Sequence, residues 1–323
     1  MSHPPPPAVV PRDTAASDFR AELLAGLSRQ PRTLPCKFFY DERGSELFLQ
    51  ISELAEYYIT RTELALLHEQ RRDIARHLGK GIQLIGLGTG AGTKTRLLLE
   101  ELEEPATYIP VDISSEQLQR SAELFRGLFP DLEILPVAAD YLQPFQIPVA
   151  IRQPTRRIVY FPGSTIGNFE PADAKDFLRR IVNILGADGG LLIGVDLRKS
   201  PEVLERAYND GSGITAAFNL NLLARANREL QANFDLGCWR HRAMYNPTEG
   251  RIEMYLISEV PQTVLVAGQA FDFRAGEKIT TEYSYKYSPD GFIALAQAAG
   301  LESQRIWTDD GQLFGLFYCA VPE

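Results

Sequence analysis

Between residues 82 and 197, short and nearly unbroken apolar runs alternate with stretches whose apolar positions fall three or four apart. The runs IQLIGLG (82–88), YIPVDI (108–113), EILPVAAD (133–140), RRIVYFPG (156–163) and GGLLIGVDL (189–197) predict strands. SSEQLQRSAELFRGLF (114–129) and DAKDFLRRIVNIL (173–185) predict helices between them. This alternation is the pattern of an α/β fold with a doubly wound parallel sheet. Ligands of such sheets sit outside the carboxyl ends of the strands.

The flanks follow a different rhythm. A helical pattern begins at Ser17 (Phe19, Leu23, Leu24, Leu27) and leads into two aromatic stretches, CKFFYDERGSELFLQI (36–51) and ELAEYYITRTELALL (53–67). These read as a lid or a substrate-facing helix pair. After Asp196, residues 200–230 read as helical, and residues 251–287 as antiparallel strands with an alternating QAFDF and a turn at RAGEK. This region is expected to be a second lobe inserted into the first. Residues 288–321 then give a helix and two strands that return to the edge of the first sheet. The opening MSHPPPPAVVP is proline-rich, and residues 1–16 are expected to be a disordered leader.

Composition narrows the function. At 323 residues the chain is long enough for two lobes. Its net charge of −9 argues against a polyanionic partner such as nucleic acid. Cys36, Cys238 and Cys319 lie far apart with no CxxC pair, which fits a reduced, cytoplasmic protein with structural cysteines. His3, His68, His77 and His241 have no metal-ligand spacing, so no metal site is expected. No run is long enough to span a membrane, and the N-terminus lacks a signal peptide's apolar stretch.

The stretch IGLGTGAGTKTRLLL (85–99) carries the chemistry. Glycines at 88, 90 and 92 let a backbone approach a ligand, and the following helix would aim N–H groups at it. The spacing is GxGxG, whereas the dinucleotide fingerprint is GxGxxG. Both dinucleotides and S-adenosylmethionine use such a turn. Asp112, closing YIPVD, is placed to accept from ribose hydroxyls, as both ligands need. In VAADY, Asp140 can accept from an adenine amino group while Tyr141 packs on the base, an arrangement typical of methyltransferases. Each aspartate alone is equally well a strand-end turn residue. Lys94 can pair with the methionine carboxylate of S-adenosylmethionine. One position departs from the methyltransferase pattern: two residues before the first glycine an acid is usual, and here Gly86 stands.

The stretches LPCKFFYDERGSELFLQISELAEYYITRTE (34–63) and YFPGSTIGNFEP (160–171) make the chain resemble the histidine-specific Nα-methyltransferases of ergothioneine biosynthesis. Those enzymes convert L-histidine to hercynine with three molecules of S-adenosylmethionine. The resemblance runs from about Ser17 to the C-terminus and continues through AYNDGSGITAAFNLNLLARANREL, RIEMYL and TEYSYKY. It implies a Rossmann-like methyltransferase domain over 61–196 plus 286–323. It also implies a mixed α+β substrate-binding lobe over 17–60 plus 197–285, formed by the N-terminal helices and the insertion. The cofactor would be S-adenosylmethionine, held by Tyr40, Gly88, Lys94, Asp112, Asp140, Tyr141 and Ser164. The substrate would be held by Tyr57, Gly163, Asn168, Tyr208, Met254, Glu282 and Ser284. The family's usual monomer is the expected state.

The chemistry of these side chains suits that reaction. Methyl transfer from a sulfonium to a neutral amine is an in-line displacement, so positioning carries most of the acceleration. Asn168 offers both donor and acceptor to an amino acid's α-amino and carboxylate groups, and Tyr57 and Tyr208 add hydroxyls. The nearby sulfonium lowers the amine pKa, and its proton goes to water or to a tyrosine such as Tyr40. Glu282 and Ser284, two apart in TTEYSYK, share a strand face and can meet the two imidazole nitrogens. Met254 gives an adaptable apolar wall. Three alternatives stay open: the same reaction on another α-amino acid such as Trp or Tyr, a nicotinamide-dependent oxidoreductase, and a non-catalytic binder of S-adenosylmethionine.

Overall fold

A computed structural model describes residues 12–88, 90 and 92–322, with side chains from Phe19 onward. The proline-rich leader therefore lies outside the described residues up to Pro11. From Arg12 the chain is helical, so the expected disorder does not extend to residues 12–16, and the helix starts ahead of Ser17.

In chain order the first elements are α1 (Arg12–Ser28), β1 (Arg32–Thr33), α2 (Glu42–Glu53), α3 (Tyr58–Leu78), β2 (Gln83–Leu87), α4 (Thr93–Leu99), β3 (Thr107–Asp112) and α5 (Ser115–Leu128). There follow β4 (Glu133–Ile134), β5 (Val137–Ala138), β6 (Arg157–Phe161), α6 (Pro171–Leu185), β7 (Gly190–Asp196), α7 (Pro201–Tyr208) and α8 (Ile214–Leu230). The chain ends with β8 (Trp239–Asn246), β9 (Arg251–Ser258), β10 (Gln262–Val266), β11 (Gln269–Phe273), β12 (Lys278–Tyr285), α9 (Pro289–Ala298), β13 (Glu302–Thr308) and β14 (Phe314–Ala320). Two compact units divide it. One comprises Thr62–Leu197 and Tyr287–Glu323, the other Pro11–Arg61 and Arg198–Lys286.

In the first unit the described residues form an eight-stranded sheet of order β13-β14-β7-β6-β2-β3-β4, with β5 also on β3. The five parallel strands of that order are β2, β3, β4, β6 and β7; β14 joins β7 antiparallel, and β13 joins β14 antiparallel. Residues 288–321 thus return to the sheet edge as expected. From β2 the chain builds outward through β3 and β4, then crosses back to β6 and β7, so the strand order reverses between β2 and β6. That reversal opens the crevice where doubly wound sheets bind ligands. The sheet is held by burial on a continuous face: Ile85, Ile109, Val159, Phe161, Leu191 and Ile193 pack with Phe177, Leu178 and Ile181 of α6 and Phe292 of α9. Those α6 positions fall at three- and four-residue steps, the stripe an amphipathic helix presents to a core.

EILPVAAD forms two short strands rather than one. Pro136 has no N–H to give β3, and the ladder breaks there; Leu135 donates to the Tyr108 carbonyl (3.0 Å) and pairing resumes at Val137.

In the second unit β1, β12, β9 and β8 form one sheet, and β10 and β11 a separate hairpin. The early aromatics pack against α8. Phe39 lies 4.6 Å from Phe218 between ring centroids, and Phe48 lies 6.0 Å from the same ring. The helical pattern of 200–230 is broken in two at Asn209–Gly213. Asp210 caps α8 there, accepting from Ile214 N–H (2.9 Å) and Thr215 N–H (2.8 Å). Strand β8 was not expected from the sequence.

The β12–β9 ladder carries a bulge. Thr280 pairs with Tyr255, but Glu282 pairs with Met254, so Thr281 and Glu282 together oppose one residue. Ile279, paired with Leu256, therefore shares its face with Glu282 and Ser284.

Candidate functional site

Two clusters hold the chemistry-bearing residues, one in each unit. In the first, the glycine turn leaves the carboxyl end of β2. Gly88, Gly90 and Gly92 all have positive φ (60°, 51° and 75°), which only glycine adopts without strain. A Cβ on Gly92 would also press to 2.7 Å from the Phe125 ring, whereas one on Gly88 would lie 3.6 Å from Tyr141. Tyr141 is held edge-on by Phe161 at 5.6 Å and Phe177 at 6.2 Å.

Asp112 ends β3, half-buried. One oxygen accepts from Ser114 N–H at 3.0 Å. Burial nonetheless raises its carboxyl pKa, the backbone hydrogen bonds only partly opposing this. Asp140 makes the same kind of turn, accepting from Leu142 N–H at 2.8 Å. Across the strand-order reversal, β6 ends in Pro162, Gly163, Ser164 and a short 3₁₀ turn, Thr165–Asn168. Ser164 is buried in a left-handed conformation (φ 57°), and its hydroxyl accepts from Asp196 N–H at 2.8 Å. That bond ties the loop to β7. Asn168 sits half-buried at the end of the 3₁₀ turn.

Lys94, in the first turn of α4, ion-pairs with Glu63 on α3. The Glu63 carboxylate also accepts from Gly163 N–H with both oxygens at 3.0 Å, and it is completely buried. Sequence reasoning missed Glu63, although a signal existed: Leu66 and Leu67, three and four positions on, are buried, so the acid occupies the apolar stripe of its helix.

In the second unit Glu282, Ser284, Met254, Tyr208, Tyr57 and Tyr40 lie along one aromatic-lined region. The Tyr57 ring stands 6.2 Å from Tyr208, also 6.2 Å from Phe48, and Phe48 lies 5.5 Å from the half-exposed Tyr40. Tyr208 and Ser284 hydroxyls are 2.9 Å apart. Lys286, also missed, donates to both: 2.7 Å to Ser284 Oγ and 3.1 Å to Tyr208 Oη. It is buried and two residues beyond Ser284, so the alternation that joined Glu282 to Ser284 extends to it. Burial pushes the Glu282 carboxyl up to about 7, with the Lys286 ammonium partly opposing the rise. Burial likewise raises the Cys36 thiol to about 12, and Glu282 adds to it. His241 is kept neutral by burial; its Nδ1 accepts from Asn219 (2.9 Å), leaving Nε2–H to donate to the Tyr208 carbonyl (2.9 Å).

Residues 19–321 match the family described as "Histidine-specific methyltransferase, SAM-dependent". The chain is 41% identical over 309 residues to the histidine N-alpha-methyltransferase of Mycolicibacterium smegmatis, covering 94% of this chain and 95% of that protein. The chain belongs to the histidine-specific, S-adenosylmethionine-dependent methyltransferase family. Ergothioneine biosynthesis protein 1 of Neurospora crassa is 33% identical over 90% of this chain, which spans 33% of that longer protein. The 4-dimethylallyltryptophan N-methyltransferase of Aspergillus fumigatus is 30% identical over 89% of each chain.

For a histidine-specific methyltransferase the cofactor is S-adenosylmethionine, and the nicotinamide alternative falls. The first unit's residues fit it: an open glycine turn facing the Tyr141 ring, carboxylates at the ends of β3 and after β5, and a lysine at the turn. Ile113, beside Asp112, leaves 59% of its surface exposed and adds an apolar face for a planar base.

Proposed function

We propose that the protein transfers three methyl groups from S-adenosylmethionine to the α-amine of L-histidine, forming hercynine, the first step of ergothioneine biosynthesis. The observation that carries the substrate assignment is the polar set Glu282, Ser284 and Lys286, set among Ile252, Met254 and Leu256 on one face of β12 and β9. A buried polar cluster rejects ligands that leave it unpaired, by about ten-thousand-fold where binding depends on it.

Lys286 donates to the Ser284 and Tyr208 oxygens, so these hydroxyls accept from it and keep their own protons for others. One donates to its neighbour, leaving one proton for an imidazole nitrogen. Glu282 accepts from the other imidazole N–H as a carboxylate. The imidazole held in this way is neutral, with its one ring proton on the nitrogen that faces Glu282. Met254 closes the apolar side.

S-adenosylmethionine, when bound, supplies an electrophilic methyl on a sulfonium. Gly88, Asp112, Asp140 and Tyr141 are assigned to its nucleoside and Lys94 to its methionine carboxylate, with Ser164 holding their loop in place. Asn168 and Gly163 orient the amino acid's polar end. Tyr57 and Tyr208 support it, and Tyr40 is assigned the proton-accepting contact alongside water. Tyrosine faces favour the quaternary product.

The protein is proposed to act as a cytoplasmic monomer; its three cysteines are free thiols, as a reducing compartment maintains. Size-exclusion chromatography with light scattering tests the monomer. The function itself is tested by mass spectrometry of reactions containing S-adenosylmethionine and each of the twenty amino acids singly. Trimethylation of histidine alone is expected. Methylation of tryptophan or tyrosine in its place would overturn the imidazole assignment, and no methylation would leave only a cofactor binder.

A further inference from the structure

Glu63 is a carboxylate with no exposed surface at the crevice between β2 and β6. Burying such a group costs heavily unless it is paired and hydrogen-bonded. Three segments of the sheet unit meet its needs. Lys94, at the turn after β2, supplies an ammonium. Gly163, after β6, supplies an N–H to both oxygens at 3.0 Å. Gly194 in β7 supplies room, because a Cβ there would lie 2.5 Å from Glu63 Oε1. A carboxylate with this much provision is thus built in from α3, while β2 itself carries Gly86 and no acid.

The cover over Glu63 is of two kinds. The Gly163 N–H belongs to the backbone and is fixed by the loop's tie to β7. The Lys94 side chain is 19% exposed and hangs on a flexible four-carbon stem, so it is the part able to move. The methionine end of S-adenosylmethionine is a zwitterion, one ammonium and one carboxylate on adjacent atoms. An internal pair of one carboxylate and one ammonium is its complement.

We propose that Glu63 and Lys94 together form the receptor for that zwitterion: Lys94 turns its ammonium to the methionine carboxylate, and the Glu63 oxygen it releases accepts the methionine ammonium. This rests on the reading that S-adenosylmethionine binds at the glycine turn. Glu63 thereby supplies, from a helix, the acid absent at Gly86.

The test is calorimetric binding to the full-length protein without amino-acid substrate. Three ligands are compared: S-adenosylhomocysteine, its analogue lacking the amino group, and 5′-methylthioadenosine, which lacks both charges. The unsubstituted protein is expected to bind S-adenosylhomocysteine at least about tenfold tighter than the desamino analogue, the scale of one charged hydrogen bond. In Glu63→Gln this preference collapses to about twofold or less, while 5′-methylthioadenosine affinity stays within about threefold. Should Glu63→Gln fail to fold, Glu63→Gln with Lys94→Met removes both charges together, and the same collapse is expected. Equal binding of the two homocysteine ligands by the unsubstituted protein overturns the proposal. So does an equal loss for all three ligands in the variant, or failure of both variants to fold, which marks the pair as structural. No binding of S-adenosylhomocysteine at all overturns the cofactor-site reading as well.

Discussion

Glu282 lies directly across the β12–β9 ladder from Met254, one residue past the bulge, so a carboxylate and a thioether share one face of the sheet. Burial strips water from that carboxylate and raises its pKa, and Lys286 returns only part of the lost stabilisation. Glu282→Gln should weaken histidine at least about tenfold while affinity for S-adenosylhomocysteine holds. Steady-state KM for histidine against other amino acids checks it; unchanged selectivity removes Glu282 from the imidazole.

The same residue makes a prediction about pH. With a folded-state pKa of about 7 against 4.5 in the unfolded chain, the folded protein keeps a proton that the unfolded chain releases. Glu282's contribution to stability is therefore greatest below pH 4.5 and is lost as pH rises through 7. Glu282→Gln should be more stable than the unsubstituted protein at pH 8, by about 1–3 kcal/mol, and show no such gain at pH 4.5. Thermal melts across that range decide it.

Lys286→Met removes the charge that orients Ser284 and Tyr208. The KM for histidine should rise at least about tenfold, the loss expected for a charged hydrogen bond, with cofactor affinity unchanged. If the affinities for histidine and for cofactor weaken together, Lys286 serves only the fold.

Asn168→Ala should abolish turnover, with kcat falling about a hundredfold or more through lost orientation, while S-adenosylhomocysteine still binds. Retained activity in the mass-spectrometric assay would exclude Asn168 from the transfer step.

Asp210 tests the capping of α8. Desolvation would raise its pKa, but hydrogen bonds from Thr215, Ile214 and Ser212 outweigh it and hold it at about 2. Its folded pKa lies below the unfolded 3.8, so its contribution is present above pH 3.8 and is lost as pH falls through 2. Asp210→Ala should cost about 1–2 kcal/mol at pH 7, and much less at pH 2, by denaturant titration.

The parallel strands were legible because both-face burial leaves their runs nearly free of polar residues; every residue of β2 and β7 is buried. The returning C-terminal strands were legible for a similar reason, β14 being almost wholly buried. Pro136 was in plain view, and its missing N–H was the reason one strand became two. Glu63 was passed over as one charge among many on an outwardly ordinary helix; only its position in the apolar stripe marked it. Strand β8 escaped because WRHRAMYN is a partly exposed strand whose arginines and histidine hide its alternation. The bulge left no trace in residue type. Counted by twos, Glu282 and Ser284 fall on the face that Thr280 shares with exposed Lys278, and only the extra residue in the ladder brings them onto that of buried Ile279.

Thr281 thereby makes the strand unequally tolerant of shortening. Removing it would close the ladder with Glu282 still opposite Met254, and the recognition face would keep its chemistry. Removing Tyr283 instead would leave Glu282 in place and rotate Ser284 and Lys286 to the far side, splitting the polar set. Along these few residues, a change in length carries more functional information than a change in side chain.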